Sequence, residues 1–336
     1  MTSKVLIIDD TPEYIDMIDD ILDDLDIFAA KDGLRGLELA SKVMPHLILL
    51  DINMPDMNGY DVCRKLKNDN SLKKIPIIFL SANEGCDFEE IGFNLGAVDY
   101  VSKPFNSPVL KARVNTHINL YKLQTDLEKE VQKATSEIND LNNEMTYLAA
   151  SIAEMKSKET GNHLKRVSNL SFMLARSLNI QISEAQKIKM ASILHDIGKV
   201  AIPDYILNKI GKFEPQEWEI MKTHAQIGYE MLKESHFALM QLGAKIAHEH
   251  HEKYDGTGYP QGLAKDEISL AGRIVAVIDV FDSLLDKRVY KEAWSSKDVR
   301  EYFIKMRGTH FDPKICDVLL ENFDAYVSLR ESDFDA

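Results

Sequence analysis

Residues 120–156 contain neither glycine nor proline, and their apolar residues recur with a heptad spacing. One series of apolar positions is Leu127, Ala134, Leu141, Leu148 and Met155, and the second is Val131, Ile138, Met145 and Ile152. This is the d/a pattern of a coiled coil over four repeats, and β-branched residues at a with Leu at d favour two parallel strands. The segment therefore predicts a long linker helix, placed at residues 122–156, that joins two copies of the chain into a homodimer.

The alternative is a single amphipathic helix that packs on its own domain. The heptad g positions carry Glu130, Glu137 and Glu144, whereas the facing e positions carry no positive charge. Ion pairs therefore do not fix the pairing of two such helices, and the alternative remains open.

Residues 1–121 alternate short apolar runs with helical patterns. The strand-like runs are residues 4–9, 26–30, 47–51, 76–80 and 98–101. Strands that alternate with helices are typical of a doubly wound α/β domain, and the nearly continuous apolar run at 46–50 is typical of a central parallel strand. The sequence predicts a five-stranded parallel sheet.

Polar residues follow four of the five predicted strands. Asp9 and Asp10 end the first run, Asp51 ends the third, Ser81 follows the fourth and Lys103 follows the fifth. The carboxyl ends of parallel strands meet at one edge of a sheet, where α/β proteins bind ligands. Three carboxylates there suit Mg²⁺, and Lys103 would offset the charge of a phosphoryl group on Asp51.

These motifs, together with Pro55, Gly59 and Pro104, resemble a response-regulator receiver domain of two-component signalling. The resemblance implies that Asp51 accepts a phosphoryl group from a sensor histidine kinase. It also implies Mg²⁺ bound by Asp9, Asp10, Asp51 and the carbonyl of Asn53.

The same resemblance implies a switch in the receiver. Ser81 and Tyr100 would respond to phosphorylation, with Lys103 beside the phosphoryl group. The peptide bond between Lys103 and Pro104 would be cis, as is usual in the family.

Seven of the ten histidines lie between residues 163 and 251, and several have carboxylates as near neighbours. Glu159 and His163 stand four residues apart, which places them on one face of a helix, and His195 is adjacent to Asp196. Imidazole and carboxylate without thiolate suit Fe, Mn or Zn. A carboxylate next to a histidine can bridge two ions, as a dinuclear hydrolytic site requires.

Other histidines have simpler explanations. His236 and His248 are interpreted as packed or surface residues, and His46, His117 and His310 lie outside the cluster. The adjacent pair His250 and His251, placed in a helix of sequence Ala-His-Glu-His-His-Glu, has no such explanation, because burying two imidazoles together is costly without compensation.

Residues from about 150 to 330 resemble an HD-GYP domain, an all-α member of the HD superfamily that hydrolyses cyclic di-GMP to linear pGpG or GMP. The domain is placed at residues 157–336. The motifs that carry the resemblance are His195-Asp196-Ile-Gly-Lys199, His250-His251-Glu-Lys-Tyr-Asp255-Gly-Thr-Gly258-Tyr259-Pro260 and Asp279-Val-Phe-Asp282.

The resemblance implies a centre of two or three Fe or Mn ions, with Zn also compatible. Its ligands would be Glu159, His163, His195, Asp196, His224, His250, His251 and Asp279. Family members that have the glutamate can bind a third ion.

The resemblance also implies roles around the substrate. Asp196 would bridge two ions, and Lys199 would stabilise the charge that develops on the phosphate. Gly258 and Tyr259 would line the nucleotide pocket. Two further residues, Arg288 and Lys291, would contact phosphate.

Departures from the family pattern lie near the substrate rather than at the metals. Val289 and Ile210 replace usual prolines, which frees the backbone at both positions. Two alternatives to cyclic di-GMP hydrolysis therefore stay open. One is hydrolysis of cyclic GMP-AMP, and the other is a slow or inactive sensor of cyclic dinucleotides that acts through protein contacts.

The charge of the chain excludes some partners. The net charge is −14, and residues 1–58 alone hold 13 Asp or Glu against 4 Lys or Arg. Such a chain does not coat nucleic acid or an anionic membrane, and no basic helix for DNA binding is evident.

The expected location is the cytoplasm. No apolar run approaches the roughly 18 residues that span a bilayer, and the N-terminal apolar stretch is too short for a signal peptide. Cys63, Cys86 and Cys316 are scattered, which argues against both a disulfide framework and a cysteine zinc site.

Overall fold

The computed structural model describes residues 2–81, 86–157, 162–286 and 293–332, without the side chains of 86–89. The chain divides into two compact units, Met1–Ser136 and Glu137–Ala336. The domain boundaries predicted at residues 121 and 156 stay predictions.

The first unit contains a five-stranded sheet. Its strands are β1 Lys4–Ile8, β2 Asp26–Ala30, β3 Leu47–Asp51, β4 Ile77–Ser81 and β5 Asp99–Ser102. The order is β2-β1-β3-β4-β5 and every pairing is parallel, so the predicted doubly wound sheet is confirmed.

Helices cover both faces of the sheet. They are α1 Pro12–Ile21, α2 Gly33–Val43, α3 Gly59–Asn68, α4 Cys86–Asn94 and the first part of α5 Ser107–Lys156. Alternate residues of a strand point to opposite faces, and this divides the core in two. Ile48 and Leu50 of β3 pack into one cluster, while Leu47 and Leu49 pack into the other.

Helix α5 is continuous over fifty residues and crosses the boundary between the two units. Its eight large apolar heptad residues from Leu127 to Met155 are each at least 56% exposed. In its last turns a different face is buried, including Thr146, Ala150 and Ala153. The heptad residues are therefore not covered by the described residues of the chain.

The second unit is helical apart from short extended pairings in its described residues. Its helices are α6 Asn162–Ser177, α7 Ile182–Ser192, a 3-10 helix Ile197–Ala201, α8 Asp204–Leu207, α9 Pro215–Leu232, α10 Ala238–Glu249, a 3-10 helix Lys265–Glu267, α11 Leu270–Leu285, α12 Ser296–Met306, α13 Pro313–Glu321 and α14 Phe323–Ser332. Helix α11 supplies the centre of the core, because Ile274, Val277 and Phe281 are fully buried there. None of the described helices is both long and apolar enough to cross a membrane.

Candidate metal centres

Three carboxylates converge at the carboxyl edge of the sheet in the first unit. Asp9, Asp10 and Asp51 each offer an oxygen, and these oxygens lie within 4.8 Å of one another. Asp9 and Asp51 are buried. Burial raises the pKa of Asp51 against the opposing effect of the Lys103 ammonium.

Lys103 spans this cluster of carboxylates. Its Nζ donates to Asp9 Oδ2 at 2.7 Å and to Asp51 Oδ1 at 2.9 Å, and it lies 4.2 Å from the centre of the Tyr14 ring. The peptide bond between Lys103 and Pro104 is cis, as the resemblance implied.

The other predicted receiver residues surround the cluster. Ser81 is buried at the end of β4, in register with Ser102 of β5. Tyr100 is half-buried in β5, and its ring lies 6.3 Å from that of Phe93. Asn53 is exposed in the loop after β3.

In the second unit, two groups of candidate ligands share Asp196. One group is His163, His195 and Asp196, and the other is Asp196, His224, His250 and His251. Within each group the ligand atoms lie within 4.8 Å of one another. The structure thus brings six of the eight predicted ligands within this distance of one another in two groups.

The two oxygens of Asp196 face different histidines. Oδ2 lies 3.1 Å from His195 Nε2 and 2.6 Å from Lys199 Nζ. Oδ1 lies 3.4 Å from His224 Nε2 and 3.7 Å from His250 Nε2. A carboxylate in this position can contact two ions at once.

Asp279 is a seventh predicted ligand. It lies on α11, and its Oδ1 is 3.5 Å from His163 Nε2 and 3.8 Å from His195 Nε2. Its position is therefore beside the first group of ligands.

Main-chain carbonyls orient three of the histidines. His195 Nδ1 lies 2.8 Å from the carbonyl of Ser192, and His224 Nδ1 lies 2.7 Å from that of Met221. His250 Nδ1 lies 3.0 Å from a carbonyl of the last turn of α10. Because a carbonyl only accepts, Nδ1 carries a proton in each case, and Nε2 is the nitrogen that faces Asp196.

A carboxylate orients His163 instead. Its Nδ1 lies 2.8 Å from Asp282 Oδ2, and Asp282 is fully buried. Asp282 Oδ1 accepts from Arg166 Nε and, at 2.8 Å, from Arg330 Nε. Burial alone would raise the pKa of Asp282, but His163 and Arg166 hold it well below its usual range.

Burial and the shared carboxylate give the histidines different proton affinities. Burial lowers the pKa of His224 to about 4. Burial also acts on His195, but the Asp196 and Asp279 carboxylates outweigh it and raise the pKa of His195 to about 9. Burial opposes ionisation of Asp196, yet Lys199 and His195 hold its pKa well below the usual value.

Two buried polar atoms indicate that the site is built for a metal. Neither His195 Nε2 nor Asp196 Oδ1 makes a hydrogen bond to any described residue. A buried polar atom without a partner is costly unless something else satisfies it. Imidazole nitrogens and carboxylate oxygens at this spacing fit divalent transition-metal ions.

A glycine allows the motif that carries Lys199 to approach α9. A Cβ on Gly198 would lie 2.0 Å from the carbonyl oxygen of His224. Only glycine fits there, so Gly198 brings the 3-10 helix Ile197–Ala201 against the helix that carries His224.

The Gly-Tyr-Pro segment packs against the histidine pair. A Cβ on Gly258 would lie 2.3 Å from the nitrogen of Lys253, and the Tyr259 ring stacks on His251 with a centroid distance of 4.7 Å. The peptide bond between Tyr259 and Pro260 is cis, which was not predicted.

Not every sequence-based expectation matches the structure. His250 and His251 were placed inside a helix, but α10 ends at Glu249 and both residues follow it. Glu159, Arg288 and Lys291 lie outside the described residues. His248 stacks on Tyr229 and lies 2.7 Å from Gln226, as expected for a packed residue.

Three supporting carboxylates were not singled out from the sequence. Asp282 orients His163, as described above. Glu252 is buried and accepts from the backbone nitrogens of Gln261, Gly262 and Leu263, which fixes the Gly-Tyr-Pro loop. Glu154, near the end of α5, is buried beside His163 and His195. Asp282 ends the motif Asp279-Val-Phe-Asp282, and Glu252 directly follows His250-His251. Their place in these motifs was the one sequence feature that could have indicated a supporting role.

Two family models match the chain. The response regulator receiver domain matches residues 5–115, and the HD domain matches residues 148–315. An HD domain implies a divalent metal centre, in agreement with the ligand groups that share Asp196.

Curated relatives match most of the chain. A protein of Vibrio cholerae described as a probable cyclic di-GMP phosphodiesterase is 38% identical over 97% of this chain and 79% of its own length. The cyclic di-GMP phosphodiesterase response regulator RpfG of Xanthomonas campestris is 37% identical over 94% of this chain and 87% of its own length.

A third relative matches only part of the chain. The 3'3'-cGAMP-specific phosphodiesterase 2 of Vibrio cholerae is 43% identical over 64% of this chain and 41% of its own length. The two longer matches include both the receiver domain and the HD domain. The chain therefore belongs to the family of response regulators in which a receiver domain is followed by an HD domain.

Proposed function

We propose that the chain is a two-component response regulator whose HD domain hydrolyses cyclic di-GMP to linear pGpG or GMP. The observation that carries this proposal is the position of Asp196, one oxygen of which faces His195 while the other faces His224 and His250. A carboxylate placed in this way could hold two ions close together, as at a two-ion hydrolytic site. Relatives that match both domains are described as cyclic di-GMP phosphodiesterases.

The side chains of the site would bind metal ions and place a positive charge beside them, as an anionic substrate needs. His163, His195, Asp196, His224, His250, His251 and Asp279 are the proposed ligands, with Glu159 as the ligand of a third ion. Bound Fe or Mn would supply a Lewis acid and an activated water. Lys199 is held beside the bridging carboxylate at 2.6 Å, which places a positive charge where a substrate phosphate would approach the ions.

In the receiver, we assign Mg²⁺ to Asp9, Asp10, Asp51 and the Asn53 carbonyl, and we assign phosphorylation by a sensor kinase to Asp51. The contact of Lys103 with Asp51 supports this, because an ammonium at 2.9 Å would stabilise the added phosphoryl charge. Ser81 and Tyr100 are the proposed switch residues. Gly258, Tyr259, Arg288 and Lys291 are the proposed substrate contacts.

A hydrolysis assay tests the function. The purified chain, loaded with Mn²⁺ or Fe²⁺, is offered cyclic di-GMP and cyclic GMP-AMP separately, and products are resolved by chromatography. We expect faster turnover of cyclic di-GMP. Tight binding of both nucleotides without turnover of either would contradict the proposal and favour a sensor.

The second candidate is a phosphodiesterase for cyclic GMP-AMP. The observation that favours it is the 43% identity to a relative described as specific for that nucleotide. Faster turnover of cyclic GMP-AMP in the same assay would establish it.

The last turn of α5 supports regulation through the linker. Lys156 Nζ donates to the carbonyls of Val200 and Ile202, each at 2.7 Å, and the carbonyl of Lys156 accepts from Asn208. These bonds join the end of α5 to the segment that carries Lys199. A shift of α5 on phosphorylation of Asp51 would therefore act on the position of Lys199.

We also propose that α5 forms the parallel coiled coil of a homodimer. Substituting Leu141 and Leu148 together by glutamate should convert the dimer to a monomer, because the negative charges would face each other across the seam. Light scattering at micromolar concentration, with and without a small phosphodonor, would measure the mass.

The matched control is Asn143→Glu, which adds a negative charge to the exposed face of the same helix away from the seam. It should leave the dimer intact. A monomeric mass of the unmodified chain in both phosphorylation states would rule out the coiled-coil dimer.

A further inference from the structure

A row of aromatic rings extends outward from the metal ligands. The Tyr259 ring stacks on His251, and Trp218 and Tyr259 meet edge to face, with a centroid distance of 5.9 Å and an interplanar angle of 80°. Phe213 stacks on Trp218 at 6.0 Å with an interplanar angle of 25°. We call Phe213, Trp218 and Tyr259 the aromatic platform.

The platform is anchored on one side and open on the other. Phe213 packs against a buried cluster that includes Ile206 and Met221. Trp218, in contrast, is 41% exposed although it lies between two other rings. A large aromatic side chain that is both fixed and exposed offers a flat surface to a ligand.

The first turn of α9 fixes the backbone that carries the Trp218 indole. Glu214 and Glu217 form a capping box in which the nitrogen of Glu214 donates to Glu217 Oε2 at 2.7 Å. Lys209 pairs with the same Glu217 carboxylate. Trp218 is the next residue after Glu217, so the capping box and the ion pair with Lys209 both fix the backbone at the position of Trp218.

A positive charge lies beside the rings. Lys222 is one helical turn after Trp218, and its Nζ lies 5.9 Å from the centre of the Tyr259 ring. It is paired with Glu219 at 2.8 Å and remains partly exposed. His224, a proposed metal ligand, follows two residues later on the same helix.

We propose that the exposed indole of the aromatic platform, Trp218, stacks a purine base of the cyclic dinucleotide, while Lys222 approaches the nucleotide's phosphate. This inference rests on the proposed function and adds a base-binding subsite to it. A ligand that fits must have a flat aromatic face and a negative group within reach of the metal ligands, and a nucleotide has both. Stacking on aromatic side chains tolerates different bases, so the subsite adds affinity rather than selection between guanine and adenine.

The two tryptophans of the chain, Trp218 and Trp294, permit a direct test. In the Trp294→Phe variant of the full chain, Trp218 is the only indole, and its fluorescence reports on the platform. We expect GMP and AMP, which contain no phosphodiester to hydrolyse, each to quench this fluorescence on binding to the metal-loaded protein. Binding of GMP in calorimetry without any change in Trp218 fluorescence would overturn the proposal.

A matched pair of variants tests the energetic contribution. Trp218→Leu should raise KM for the hydrolysed dinucleotide by on the order of tenfold, whereas Trp218→Phe, which keeps a ring, should raise it much less. Bound metal and kcat should change little in either. Equal loss in the two variants, or loss of metal from Trp218→Leu, would show a structural role and overturn the subsite.

The two measurements separate this inference from the proposed function. If neither cyclic dinucleotide is hydrolysed but GMP quenches Trp218, the proposed function fails and the base-binding site stands. If hydrolysis occurs but Trp218→Leu and Trp218→Phe both match the unmodified chain in KM, the subsite fails and the function stands.

Discussion

Asp196→Asn should lose bound metal and lower the rate of phosphodiester hydrolysis by more than about 100-fold. Partners that only orient a ligand typically contribute 10- to 100-fold to metal affinity or activity, and a ligand shared by two groups should contribute more. The asparagine keeps the shape of the side chain but loses the charge that both groups of histidines face. Metal content by mass spectrometry and initial rates measured on the same preparation would test this expectation.

Asp196→Asn tests the charge of residue 196 apart from the packing of its side chain. Asp196 opposes four nitrogens, those of His195, Lys199, His224 and His250, between 2.6 and 3.7 Å away. An amide in its place would offer one acceptor oxygen and place an NH₂ group against either the Lys199 side or the His224 side. We therefore expect the loss of metal even if the helices pack as before.

Asp266→Asn is a suitable control. Asp266 is a carboxylate of the same unit whose side chain is 88% exposed and which pairs with Arg273. Removing its charge should change neither metal content nor rate. An Asp196→Asn protein that keeps full metal content and full rate would remove the basis for a shared bridging ligand.

The sheet of the first unit was predictable because its signals are local. Strand β3 is buried on both faces, and its sequence is nearly continuous apolar residues that end in Asp51. The polar residues that follow the strands converge because parallel strands share one carboxyl edge, so their positions directly after the strands were enough to predict that they lie close together. The contact of Lys103 with both Asp9 and Asp51 follows from this rule.

The sequence predicted the six residues that the structure brings together around Asp196, but not the residues that orient them. Adjacent ligands such as His195 and Asp196 are visible as a motif. Arg166 and Arg330, in contrast, reach Asp282 across 116 and 48 residues, and no periodicity in the sequence indicates such contacts. The end of α10 was also missed, because Ala247 to His251 are compatible with a helix and the turn depends on tertiary contacts of the loop that follows.

Asp282→Ala should destabilise the second unit by about 3–5 kcal/mol, the usual effect of removing one partner from a buried charge pair. Arg166 is 1% exposed, and its Nε donates to Asp282. Without the carboxylate, this guanidinium loses its contact with Asp282 and keeps its contact with Asp286 at 3.1 Å, which is more exposed. Both tryptophans lie in the second unit, so their fluorescence during urea unfolding of the metal-free full chain would measure the loss.

Asp282→Ala should also weaken metal binding, for a reason separate from the loss of stability. His163 would lose the acceptor that holds its Nδ1 proton, and removal of such a partner typically costs 10- to 100-fold in affinity or activity. Asp282→Asn is the matched variant, because its amide oxygen can still accept from His163 or Arg166 while the charge is lost. We expect it to lie between the unmodified chain and Asp282→Ala in both measurements.

The effect of Asp282→Ala on stability should depend on pH, because the pKa of Asp282 differs between the folded and the unfolded chain. Because the folded chain lowers this pKa below the unfolded value of about 3.9, the stability from the pairing is fully present above that value and is lost as the pH falls below it. At pH 7 the full effect of Asp282→Ala should therefore appear, and it should shrink below about pH 4. An unfolding midpoint at pH 7 that is the same for Asp282→Ala and the unmodified chain would show that the buried arginines do not depend on this carboxylate.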